Sequence, residues 1–188
     1  MSALTNLFKS LGGAFAEQGA SSTVNAPELL ESAFDNVACF GKTAADAMAA
    51  DTTAATKGNG VLGITGGYTN LNPYDEEVIG FAISPNAPLT GHDTNFATIN
   101  VLTDDAADGA PAAAFSLTTA LTAPGSGTWA TDIVQRVTRE TAGAATKGTR
   151  TAANVRLRPG ANLFISIGKS GAGVAVPICT IYVLLRKR

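Results

Sequence analysis

The stretch Glu76–Leu102 sets the pattern for the chain. Val78–Ile83 is a short apolar run, and Phe96–Leu102 alternates: Phe96, Thr98, Asn100 and Leu102 fall on one face, Ala97, Ile99 and Val101 on the other. Between them Pro85, Asn86, Pro88 and Gly91 mark a turn-rich connection. Two strand-like runs around such a cluster predict a pair of antiparallel strands. The same signature recurs to the C-terminus. It predicts strands over Val61–Tyr68, Glu77–Ile83, Phe96–Leu102, Ala112–Leu121, Trp129–Thr138, Thr149–Arg158, Asn162–Gly168 and Val174–Leu185, with Val37–Phe40 before them. Eight or nine strands at this spacing, without alternating helices, imply an all-β antiparallel sandwich of jelly-roll type. In Val174–Leu185 the residues at both parities are apolar, so this strand is expected to be covered on both faces.

The first residues obey a different period. Leu4, Leu7, Phe8, Leu11 and Phe15 fall within an arc of about 100° on a helical wheel, with Thr5, Asn6, Lys9 and Ser10 outside it. A helix this short is marginal alone in water, and Gly12-Gly13 weakens it further, so it needs a surface to lie on. Residues 1–26 therefore read as an amphipathic arm and linker, and residues 27–188 as the sandwich. The arm packs either on its own domain or on a partner, and its stripe is the candidate partner-binding surface. Pro27–Phe34 reads as a short helix, and Ala44–Asn59 fits a helix or an irregular strand.

One segment carries a family resemblance. Ala87, Leu89, Thr90, Gly91, Asp93, Thr94, Asn95, Phe96, Ala97 and Thr98, set between two strands, resemble the decoration (cement) and head-fibre proteins of tailed bacteriophages. LRPGANLFISIGKSGAGVAVP, at 157–177, is similar to the last strands of such jelly rolls. The resemblance implies a non-enzymatic virion protein, assembled in the host cytoplasm. It would sit on the outer capsid surface, with the major capsid protein as partner, a homotrimer as the favoured oligomer and capsomer junctions as the place stabilised. Another virion role (head fibre, tail or adaptor) and a carbohydrate-binding module are the alternatives.

Composition narrows the classes. Of 188 residues only 15% are charged, which suits a protein that lives in an assembly. The net charge of −2 excludes a general affinity for nucleic acid. Its distribution is uneven: residues 1–132 hold 14 acids and 3 lysines, and residues 133–188 hold 1 acid and 10 basic residues. Either the halves meet between subunits, or they interleave within one sandwich. Cys39 and Cys179 are too few for a disulfide framework, and both read as buried free thiols of a protein made in a reducing compartment. Neither a signal peptide nor a membrane span is predicted.

No chemical motif is complete, so no catalytic residue, cofactor or metal is expected. Gly58, Gly60 and Gly63 match a dinucleotide glycine pattern without its strand and helix. Gly41-Lys42-Thr43 and Gly168-Lys169-Ser170 lack the first glycine of a phosphate loop. His92 is the only histidine, in a turn beside Asp93. Asp104, Asp105 and Asp108 miss the spacing of a calcium loop. Asp75, Glu76 and Glu77 are adjacent in sequence rather than placed to face one cleft. Tyr68, Tyr74 and Trp129 are the only aromatics suited to stacking on a sugar.

Overall fold

The computed structural model describes residues 36–42, 52–56, 64–104, 110–122, 127–138 and 148–188. Among them the regular structure is β, apart from a 3-10 turn at Ala152–Asn154. The strands are β1 (Asn36–Lys42), β2 (Thr52–Thr56), β3 (Ile64–Thr65), β4 (Tyr68–Thr69), β5 (Glu76–Pro85), β6 (Phe96–Thr103), β7 (Ala112–Thr118), β8 (Gln135–Thr138), β9 (Thr149–Arg150), β10 (Arg156–Leu157), β11 (Asn162–Ser170) and β12 (Cys179–Lys187). No helix among the described residues is long and apolar enough to cross a membrane. The arm, including Leu4, Leu7, Phe8, Leu11 and Phe15, lies outside the described residues, as does the helix expected at 27–34.

The strands form two antiparallel sheets. The first runs β10-β5-β12-β1-β3, with β8 also on β5, and the second runs β2-β11-β6-β7-β9, with β4 also on β11. The chain therefore crosses between sheets repeatedly, and β12 lies between β5 and β1. Gly66, between β3 and β4, makes one such crossing. Its φ is +91°, and a Cβ there would lie 2.4 Å from the Cys39 carbonyl, so a side chain is excluded twice over.

The inner faces follow from period 2. Ala97, Ile99 and Val101 of β6, Leu163, Ile165 and Ile167 of β11, and Cys179, Ile181, Val183 and Leu185 of β12 are all buried in one core. Phe81 of β5 meets Phe115 of β7 edge to face across the sandwich, ring centroids 6.5 Å apart at 68°. In β5 the core residues are Val78, Phe81 and Ile83, a spacing that breaks strict alternation. A bulge causes this: Leu184 pairs with Gly80 and Leu185 with Val78, leaving Ile79 as the extra residue.

Several predicted strands are shorter than their apolar runs. Within Thr149–Arg158 the 3-10 turn separates β9 from β10. Within Trp129–Thr138 pairing begins at Gln135, and Trp129 makes only an isolated bridge to Leu89. The last strand starts at Cys179 rather than Val174, beyond Pro177, which has no N–H to give a ladder. The segment left open at Ala44–Asn59 contains β2.

Candidate functional site

The residues that carry the family resemblance run from the β5–β6 connection into β6, and several of them tie that connection to other segments. Leu89 is buried in the core and exchanges two backbone hydrogen bonds with Trp129, at 3.0 and 2.8 Å. At Gly91 a Cβ would lie 2.7 Å from the carbonyl oxygens of both Thr119 and Gly127, so two other segments close onto the bare backbone. His92 Nδ1 accepts the backbone N–H groups of Thr94 and Asn95, both at 3.0 Å, which commits the lone pair a base or metal ligand would use there. The Asp93 carboxylate accepts the Thr122 N–H at 2.7 Å and hydroxyl at 2.9 Å. Those bonds, the backbone one first, hold its carboxyl below the usual range. Asn95 Oδ1 accepts the Ala172 N–H at 2.9 Å. The motif thus staples the β5–β6 connection to the loops after β7 and after β11.

The opposite end of β5 is charged. Asp75 pairs with Arg156, whose Nε donates to Oδ2 at 2.7 Å. Glu77 takes Arg186 at 2.8 Å and Arg150 at 3.5 Å. These pairs join the acidic part of the chain to its basic last third inside one molecule, so the uneven charge is interleaved within the fold. Glu76 is 1% exposed and accepts from Tyr68 and from Asn72 Nδ2, the latter at 3.1 Å. Asn36 Nδ2 in turn donates to the Tyr68 hydroxyl at 3.0 Å. Burial, and then the hydrogen bond to Glu76, push the Tyr68 phenol upward. The three adjacent carboxylates are held by arginines or a tyrosine rather than facing one cleft.

The remaining candidate chemistry is likewise taken up by the fold. Lys42 is buried, with Nζ donating to the Val176 carbonyl at 2.9 Å, so Gly41-Lys42 is strand rather than phosphate loop. Gly168-Lys169-Ser170 belongs to β11. Trp129 is fully buried and offers no stacking face. The Tyr74 ring lies under Lys187, 4.6 Å from Nζ. Among the described residues no group of three His, Cys, Asp or Glu side chains is placed to hold a metal ion. Asp105, Asp108, Gly58, Gly60 and Gly63 lie outside the described residues.

What the two ends leave is the outward side of the sheets. On the second sheet, Ser116, Asn100 and Ser166 form a hydrogen-bonded polar row across β7, β6 and β11, beside a row that holds Leu102 and Phe164. On the first, the register aligns Val37, Leu184, Gly80 and Thr138 in one row across β1, β12, β5 and β8, and Cys39, Tyr182, Ala82 and Arg136 in the next. Ile178, just before β12, shares their parity, and Ile133 and Val134 lead into β8 beside them. Val37 is 40% exposed, Ile178 40%, Tyr182 37% and Ile133 57%. The last strand is therefore covered on one face only among the described residues. Cys39 is exposed on this surface, against the expectation of a buried thiol, whereas Cys179 is buried. Burial pushes the Cys179 thiol up to about 11, with the nearby Lys42 charge opposing. The signal for this surface was the doubly apolar Val174–Leu185 run, and its partner in β1 was too short to show a period. Neither a family model, nor a curated protein, nor a solved structure matches the chain.

Proposed function

We propose that the chain is a non-enzymatic virion structural protein of the capsid decoration, or cement, type. It is read as a jelly-roll sandwich that binds the outer shell of a tailed phage, contacts the major capsid protein and stabilises capsomer junctions. The observation that carries this reading is the set of exposed apolar side chains, Val37, Ile178 and Tyr182, on the outer face of the β5-β12-β1 sheet. A sheet face with exposed apolar side chains, in a chain with few charges, suits a protein that spends its working life against other protein. The stapled loop at Ala87–Thr98 supports it, because the residues of the family resemblance act there as a scaffold. No metal, cofactor, nucleic acid or membrane enters the reading.

In this account each subunit makes modest contacts and the homotrimer makes several at once, so avidity exceeds single-site affinity without new chemistry. Light scattering of the purified chain tests it. A mass near three times 19.0 kDa is expected, together with co-sedimentation with expanded capsids of the encoding phage. A strict monomer that leaves such capsids unbound refutes the decoration role and returns weight to another virion component or a carbohydrate-binding module.

A further inference from the structure

His92 fills a backbone-capping position with a group that titrates. Its Nδ1 accepts the N–H groups of Thr94 and Asn95, two and three residues further on, both at 3.0 Å. Asparagine and aspartate usually make such a local turn, through a side-chain oxygen that stays an acceptor near neutral pH. An imidazole can do so only while it is neutral, with its hydrogen on Nε2. In the imidazolium both ring nitrogens carry hydrogens, and Nδ1–H would face two other N–H groups. We propose that His92 is a pH-dependent latch: its protonation releases the Thr94–Asn95 backbone and, through it, the turn that follows β11. The inference does not rest on the capsid reading.

The contacts around the imidazole link it to that turn. Asn95 Oδ1 accepts the Ala172 N–H at 2.9 Å. The turn also fits closely against the two latched residues. A Cβ at Gly171, whose φ is +56°, would lie 2.4 Å from Asn95 Oδ1 and 2.8 Å from the Thr94 carbonyl oxygen. A displaced Thr94–Asn95 backbone therefore has to move the turn or let go of it. The start of the loop is anchored without the imidazole. The His92 N–H donates to the Thr119 carbonyl at 3.2 Å, and the Asp93 carboxylate holds Thr122. Those bonds keep the loop against the end of β7 when the latch opens, so the change is confined to Thr94, Asn95 and the turn. A proton at one side chain thus biases one local element, the form that pH sensors take.

Few charged side chains surround the latch. Asp93 is its neighbour in the chain, and a carboxylate there favours the imidazolium. Lys169, opposite Ala97 in the β11–β6 ladder, opposes it. Asp132, whose N–H donates to the Pro85 carbonyl, supports it. The segments 85–91, 119–130 and 170–173 carry no charged side chain.

His92 is the only histidine, so its ring gives a single set of NMR signals. The full chain is titrated from about pH 8 to about pH 5, the range in which histidine changes charge. Ring nitrogens and backbone amides are followed together. At the upper end the ring should carry its hydrogen on Nε2. As it takes up a second, the amide signals of Thr94, Asn95 and Ala172 should shift along one common curve. His92→Asn sets an acceptor oxygen as many bonds from Cβ as Nδ1 is, and should hold the loop closed throughout. Amide exchange separates release from the mere charge of the ring. At the lower end Ala172 should lose, in the wild type, protection that it keeps in His92→Asn. A hydrogen on Nδ1 at the upper end, or a ring that stays neutral to the lower end, overturns the latch, and both are read on the wild type alone. Equal protection of Ala172 in the two chains overturns it as well. An Ala172 shift that persists in His92→Asn does the same and assigns the step to another group.

Discussion

Glu76 shows how one residue can organise an end of the molecule. Its carboxylate is 1% exposed and depends on Tyr68 and Asn72 for hydrogen bonds. Removing one donor leaves a buried acceptor short of a partner, which costs more than the bond itself contributes. Tyr68→Phe should therefore destabilise by about 1–3 kcal/mol in urea unfolding, with an unchanged m-value because the fold is kept. Asp93 works at the other end and titrates. Its folded pKa is lowered by the Thr122 bonds, so its contribution is present above the ordinary carboxylate range near 4. As pH falls through that range the unfolded chain takes up the proton first, and stability drops until the folded group is protonated too. Melting temperatures followed into acid should fall less steeply for Asp93→Asn, which keeps an acceptor and loses the titration.

At the scale of elements, period 2 made the inward faces of β6 and β11 readable before any coordinates: Ala97, Ile99 and Val101, then Leu163, Ile165 and Ile167. It failed where the backbone departs from a plain strand. The extra residue at Ile79 shifts the phase of β5, and nothing in VIGFAI marks it. In β12 both parities are apolar, so the pattern could not say which one faces the core. Pro177 shortened that strand by removing a donor, and the 3-10 turn at Ala152–Asn154 split a run that looked continuous. The candidate surface escaped notice for a related reason. It is assembled from pairs of residues on several strands whose register is a tertiary property. The joint between the sheets can be tested directly. Phe81 and Phe115 are both about fully buried and meet edge to face. Phe81→Ala should cost about 3–5 kcal/mol in chemical unfolding, and Phe81→Leu, which keeps most of the volume, clearly less.

For the whole molecule, the acidic and basic parts of the chain meet through Asp75–Arg156, Glu77–Arg186 and Glu77–Arg150. Pairs of this kind that keep part of their surface in solvent contribute modestly to stability individually. Their value lies in register, because they fix the start of β5 against β9, β10 and β12 together. The order in which the strands are made has a separate consequence. Of the described strands, β11 and β12 come last in the chain, and each lies inside its sheet between strands made earlier. While the ribosome is still upstream of Asn162, β5 and β6 each lack the ladder they will share with these strands, and β1 lacks its main neighbour. Such edges can pair with the wrong strand or with another nascent chain. The two sheets are thus completed late in translation, by strands that insert between earlier ones, and a product terminated before Cys179 would lack the strand that joins β1 to β5.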